Sequence, residues 1–285
     1  MLGYLRARPN NYRKHEATML IKIQEADRVV YPNNPLAEVV CQARFVRMPE
    51  LASPSAAMAA FAAIGFTKPF EPPRVNINVV AAGFPVPLQP SIAAYGATTE
   101  DGVWQVSFSA DAVSLVCNKY LTWDDFLPRF GSVFDAYSSV FEAPQLSRIG
   151  LRYKDVINRE TLGLSGAPWH QLIHPFLLGP LAAGVFADEK AIPEDQVRGA
   201  LTHGVIDFGD CSLALQSMLL RSVEDARQTV FLIDADFFRE FPEGSRDYKT
   251  SHDLHAVLDA LHANAGAMFR RGIKEELHDA LISSK

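Results

Sequence analysis

The chain has no apolar run of the roughly 18–20 residues that a membrane-spanning helix needs, which argues against a helical span and against a membrane partner. It also lacks the short motifs that mark common catalytic chemistry. There is no G-x-S-x-G, no G-x-x-x-x-G-K-[ST], no G-x-G-x-x-G and no H-E-x-x-H, so only the enzyme classes that carry those motifs are set aside. No cofactor is expected. Cysteine is scarce: Cys41, Cys117 and Cys211 stand far apart, odd in number and without a C-x-x-C pair, which argues against a disulfide framework or a structural zinc. They read as small apolar residues of a reducing cytoplasm. An excess of basic residues is missing too. With 27 Lys and Arg against 33 Asp and Glu, the net charge is −6, and such a chain has no global attraction to nucleic acid or anionic lipid. The N-terminus carries Arg6, Arg8, Arg13 and Lys14 but no apolar signal core. Residues 1–18 read as a dispensable arm or an upstream start before Met19, within a polar extension over 1–28.

What is present is ample for a core. Hydrophobic residues make up 48% of 285 positions, enough for two subdomains sharing an interface. Alternation predicts a strand over 38–47, with Val39, Cys41, Ala43 and Phe45 on one face and Glu38, Gln42 and Arg44 on the other. An alanine-rich helix is predicted over 55–64, stopped by Gly65. A possible strand over 75–80 and a meander over 91–98, 103–109 and 113–118 follow, with a turn at Glu100-Asp101-Gly102. The strongest helical signal begins at the N-cap Thr122, where Trp123, Phe126, Phe130, Val133, Phe134, Tyr137 and Phe141 recur at the helical period. Pro144 ends it, and a strand is predicted over 146–157. Short helical structure is predicted within 161–178, then strands over 196–208, 211–221 and 228–237, and one long helix over 251–281. Two rounds of strands closed by an amphipathic helix predict an α+β fold with antiparallel sheets each covered by a long helix. Two similar lobes, 29–160 and 161–285, follow from that pattern.

Four stretches carry a resemblance. They are Tyr31-x-Asn33-x-Pro35-Leu36-x-Glu38-Val39-Val40-Cys41-Gln42-x-x-Phe45; Tyr120-x-x-Trp123-x-x-Phe126; Arg148-Ile149-Gly150-Leu151-Arg152-Tyr153; and Leu261-His262 with Phe269 and Gly272-Ile273. Together they resemble a sporadically distributed, uncharacterised bacterial family of about this length, over most of residues 31–278. The chain departs from that pattern where Lys154-Asp155 stands between Tyr153 and Val156-Ile157-Asn158. The resemblance implies a compact bacterial cytosolic protein and no particular activity.

Three constellations could carry chemistry. On the 146–157 strand, Arg148, Arg152 and Lys154 share one face with Gly150, opposite Ile149, Leu151 and Tyr153. The two arginines lie about 13 Å apart along the strand. With Arg44 they could grip phosphate or carboxylate, or else pair with acids on neighbouring strands, Glu38 among them. On the last helix, His255, Asp259 and His262 occupy one sector at spacings that can share a metal, although a solvated face gives the same pattern. Asp234 and Asp236 alternate on a strand, a spacing suited to a magnesium ion or an acid–base pair, or to a strand's solvent face. The preferred expectation is a non-catalytic binding or assembly protein of a bacterial accessory or defence-type system, with a protein partner or self-association as a homodimer. The alternative is an enzyme acting on a phosphate- or carboxylate-bearing substrate across the arginine-lined face.

Overall fold

A computed structural model describes residues 22–46, 53–71, 80–81, 84–85, 95–141, 145–182, 193–221 and 228–283. The arm over 1–18, most of the possible strand over 75–80, residues 91–94 and Pro144 lie outside the described residues. The elements run β1 (Leu36–Phe45), α1 (Pro54–Ala63), β2 (Lys68–Phe70), β3 (Val80–Ala81), β4 (Phe84–Pro85), β5 (Tyr95–Thr98), β6 (Trp104–Phe108), β7 (Ala112–Cys117), α2 (Trp123–Val140) and β8 (Leu146–Asn158). There follow α3 (Trp169–Leu172), α4 (Pro175–Leu178), β9 (Ala200–Asp207), β10 (Ser212–Arg221), β11 (Thr229–Ser245), α5 (Ser251–Gly272) and α6 (Glu275–Ile282). The α+β class read from the sequence is what the structure has.

Nine strands form one antiparallel sheet in the order β2-β5-β6-β7-β1-β8-β11-β10-β9, and β3 and β4 make a separate two-stranded ribbon. Separate sheets were expected; instead β8 pairs with β1 on one side and β11 on the other, and both halves share one sheet. The pairing joins segments about a hundred residues apart, a relation that local periodicity does not encode. The order has an internal regularity. Moving outward from the central β1–β8 pair, each side continues with the last, middle and first strands of a meander: β7, β6, β5 on one side and β11, β10, β9 on the other.

The helices lie on one face. Phe61 of α1 packs on Phe108, Phe134 and Tyr137 of α2 pack on Phe45, and Trp169 of α3 packs on Phe231. On β1, β8 and β11 the residues of that face are the odd-numbered apolar ones, as the alternation predicts, and on β6 the even-numbered Trp104, Val106 and Phe108. A ring such as Phe134, 1% exposed, contributes about 2–3 kcal/mol by leaving water. Thr122 accepts a hydrogen bond from Asp125 N at the start of α2, and Pro128 sits inside the helix without ending it. All three cysteines are buried and free.

The helix predicted over 251–281 is broken. Ile273 is extended and bridges Ile173, while Lys274 N donates to Leu172 O and His174 N donates to Gly272 O. Competing backbone partners from the α3–α4 corner stop α5 at Gly272. A Cβ there would stand 2.7 Å from Leu177 Cδ1, so any larger residue must push that buried leucine aside. Residues 22–28, read as part of a polar extension, run irregularly along α5; Arg271 donates to Glu25 O and Ile23 packs against the core. Asn33 then ties the segment to α6 through bonds to Ala280 O and Leu281 O.

Candidate ligand-binding site

The even-numbered face of the sheet centre carries the arginines. Arg148 donates to Asp236 at 2.7 Å, Arg152 forms a two-pronged pair with Asp234, and Lys154 pairs with Glu38. Arg44 donates to Gln42 Oε1 at 2.6 Å, and Glu240 stands opposite Arg148 in the strand register. Arg148, Arg152 and Lys154 are thus each paired with a carboxylate, of Asp236, Asp234 and Glu38 respectively, which weakens the pull of all three on an anion. Asp234 and Asp236, weighed as magnesium or acid–base ligands, are engaged by β8. The Arg148 side chain is 8% exposed and also lies 4.3 Å from the Phe238 ring centre.

Gly150 has its explanation here. A Cβ at that position would stand 2.5 Å from Arg148 Nη1 and 3.1 Å from Asp236 Oδ1. The room it leaves is filled by the arginine of its own strand. Gly150→Ala must push the guanidinium off Asp236. We expect a loss of about 1–3 kcal/mol in urea unfolding, the range for overpacking.

Among the described residues, His255, Asp259 and His262 do not bring their ligand atoms together within 4.8 Å. Asp259 accepts the Trp123 indole N–H at 2.7 Å, and His262 Nδ1 shares a 2.7 Å hydrogen bond with the Tyr153 hydroxyl. His255 instead meets His252 edge-on. Among the described residues, Glu275, His278 and Asp279 of α6 are the group whose ligand atoms gather within 4.8 Å of one another. Two of them are in use: Glu275 pairs with Arg270, and His278 Nδ1 is bonded to the Tyr31 hydroxyl.

The helix-covered side of the sheet holds the stronger site. A cavity of about 600 Å³ opens between α5, the start of α2, β8 and the segment 26–36. Its walls include Tyr31, Tyr120, Trp123, Tyr153, His262 and Phe269. Tyr120 and Tyr153 stand edge-to-face, 6.1 Å apart and 85° to one another. The His262 ring stacks on Trp123 at 4.4 Å. Burial, followed by the charge of Arg28, lowers the His262 pKa to about 4, so the ring is neutral at ordinary pH. Burial pushes the Tyr120 hydroxyl up to about 12 and holds those of Tyr153 and Tyr31 above their usual range.

Asp155 also lines this cavity. It falls on the odd, apolar face of β8 and is 4% exposed. No side chain or backbone group among the described residues gives it a hydrogen bond. Burial first, and then the charge of Asp234, raises its pKa to about 8. The sequence reading met Asp155 only as an interruption after Tyr153. The available signal was parity, since a carboxylate in register with Ile149, Leu151 and Ile157 must point into the core layer.

The residues carrying the resemblance meet here: Tyr31 and Leu36 from the first motif, Tyr120 and Trp123 from the second, Tyr153 from the third, His262 and Phe269 from the fourth. No protein-family model matches the chain, and no curated protein is similar to it.

Proposed function

We propose that this chain is a non-catalytic binding protein that takes a small, largely apolar ligand into the cavity beneath segment 26–36. The observation that carries this reading is Asp155: a carboxyl 4% exposed, facing a cavity and lacking a hydrogen-bond partner among the described residues. An unpaired buried polar group costs about 1–3 kcal/mol. Such an arrangement is expected where a ligand supplies the missing partner. The convergence of four separated motifs on one cavity supports the same conclusion. The sporadically distributed bacterial family, a cytoplasmic accessory or defence-type role, and a protein partner or homodimer belong to the same proposal. So does descent of the two halves from one lobe, which the mirrored strand order supports. The enzyme alternative built on Arg148 and Arg152 is less well supported, because both guanidinium groups are already neutralised.

Gly266 offers a test. It lies on the cavity wall, and a Cβ added there meets nothing within 4 Å. Gly266→Leu should fold at least as well as the parent chain, with up to about 1 kcal/mol gained from helix propensity. It should also lose thermal stabilisation by a library of small apolar compounds that stabilise the parent. Equal stabilisation of both proteins would place ligand binding elsewhere.

A further inference from the structure

We infer that the ligand of this cavity carries an organic ammonium group, seated against the Asp155 carboxylate and walled by the rings of Tyr31, Tyr120 and Tyr153. The inference rests on the binding reading above and specifies its ligand.

The position of the carboxyl is the first support. Asp155, 4% exposed, lines the same cavity as Tyr31, Tyr120 and Tyr153, and its charge raises the phenols of Tyr31 and Tyr153. A cation meeting these walls gains from the ring faces as well as from the carboxylate. Charge is the second support. The lining holds Asp27, Asp124, Asp155 and Asp259 against Arg28 and Arg270, an acidic excess once His262 is neutral. A carboxylate ligand would meet a lining whose acids outnumber Arg28 and Arg270, whereas an alcohol would engage Asp155 without needing its charge. An ammonium ion makes the charge-assisted bond that the site lacks.

A proton balance follows. An ammonium ligand binds the ionised carboxylate, so the Asp155 proton leaves to solvent when the complex forms below the acid's own pKa. The titratable groups that act on or beside Asp155 are Tyr153 on its strand, Tyr31 on the N-terminal segment and, from the opposite face of the sheet, Asp234 on β11. Further out are His262, Asp259 and Arg270 on α5, Arg28, Tyr120 and Asp124 around the mouth, and His278 of α6 behind Tyr31. Burial raises the Asp155 pKa to about 8, and the released proton is assigned to it.

The experiment titrates the full chain calorimetrically with three matched probes: cyclohexylmethylamine, cyclohexylmethanol and cyclohexanecarboxylate. The expected result is that the amine binds and the carboxylate does not. Amine affinity falls about ten- to hundredfold in Asp155→Asn, and proton release, read from the dependence of heat on buffer, disappears in that variant. Tyr120→Leu, with the carboxyl intact, should weaken the amine more than the alcohol. If the alcohol binds as well as the amine and Asp155→Asn changes neither, the ammonium inference falls and the cavity reading stands. If no probe binds, both fall. A thermal melt of each variant confirms that the fold is retained.

Discussion

Asp155→Asn should make the protein more stable in mildly alkaline solution, an unusual result for a substitution in a core. In the native state the carboxyl holds its proton up to about pH 8, against an ordinary value of 3.8. Unfolding exposes it and releases that proton. The native state therefore binds more protons than the unfolded one between these two values, and stability falls as pH rises through the interval. Below it the group contributes no penalty; above about 8 the penalty is complete. At about 1.4 kcal/mol per unit the ceiling is about 6 kcal/mol, and relaxation of the site reduces this to about 2–3 kcal/mol. Asparagine removes the ionisation and keeps the shape. His262 supplies an internal control of opposite sign. Its pKa falls on folding from 6.5 to about 4, so the unfolded state binds the extra proton and stability is lost as pH drops through that range. Urea unfolding across pH should lose the decline between about 4 and 8 in Asp155→Asn, and the opposite slope of His262 below 6.5, which that decline offsets in the parent, should then stand alone.

Arg148→Met should be strongly destabilising, by about 3–5 kcal/mol, the cost of leaving one member of a buried pair alone. Asp236 is 15% exposed, and its bond from Arg148 would be gone. Adding Asp236→Leu should recover much of the loss, because two apolar groups of similar size satisfy each other where one unpaired carboxylate cannot. A double-mutant cycle in urea reads the coupling directly. An anion-binding Arg148 behaves differently: its loss relieves repulsion among Arg44, Arg148 and Arg152, raises stability, and removes stabilisation by inorganic phosphate. The ion-pair lattice expects loss of stability and no phosphate effect.

Much of this architecture was legible in the residues, and the gaps have a common cause. The two faces of β8 followed from period-2 alternation, and α2 from its aromatic stripe and its Thr122 cap, because both signals are local. The joining of the halves into one sheet was not legible, since β8 finds β11 across more than seventy residues of chain. The stop of α5 at Gly272 was hidden for a related reason, because distant carbonyl and amide groups capture the backbone at Ile273 and Lys274. At the sites, the arginines were found but their ligands were unsettled. Pairing with neighbouring acids had been one of two readings, and Glu38 did find a cation there, Lys154 in place of an arginine. His262 and Asp259 were selected for metal chemistry and instead fasten Tyr153 and Trp123 in the cavity wall. Asp155 was passed over because a lone acid looks ordinary until its parity on the strand is counted.

The measurement closest to the centre of this account is the pH titration of the Asp155 side-chain carboxyl by carbon-13 NMR in the ligand-free protein. A midpoint near 8 is the expected result, since burial and the nearby charge of Asp234 both disfavour the ionised form and no protein donor among the described residues offsets them. A midpoint near the ordinary value for aspartate, about 4, would contradict the account, because the carboxylate would then already be satisfied and the cavity would have no reason to wait for a ligand.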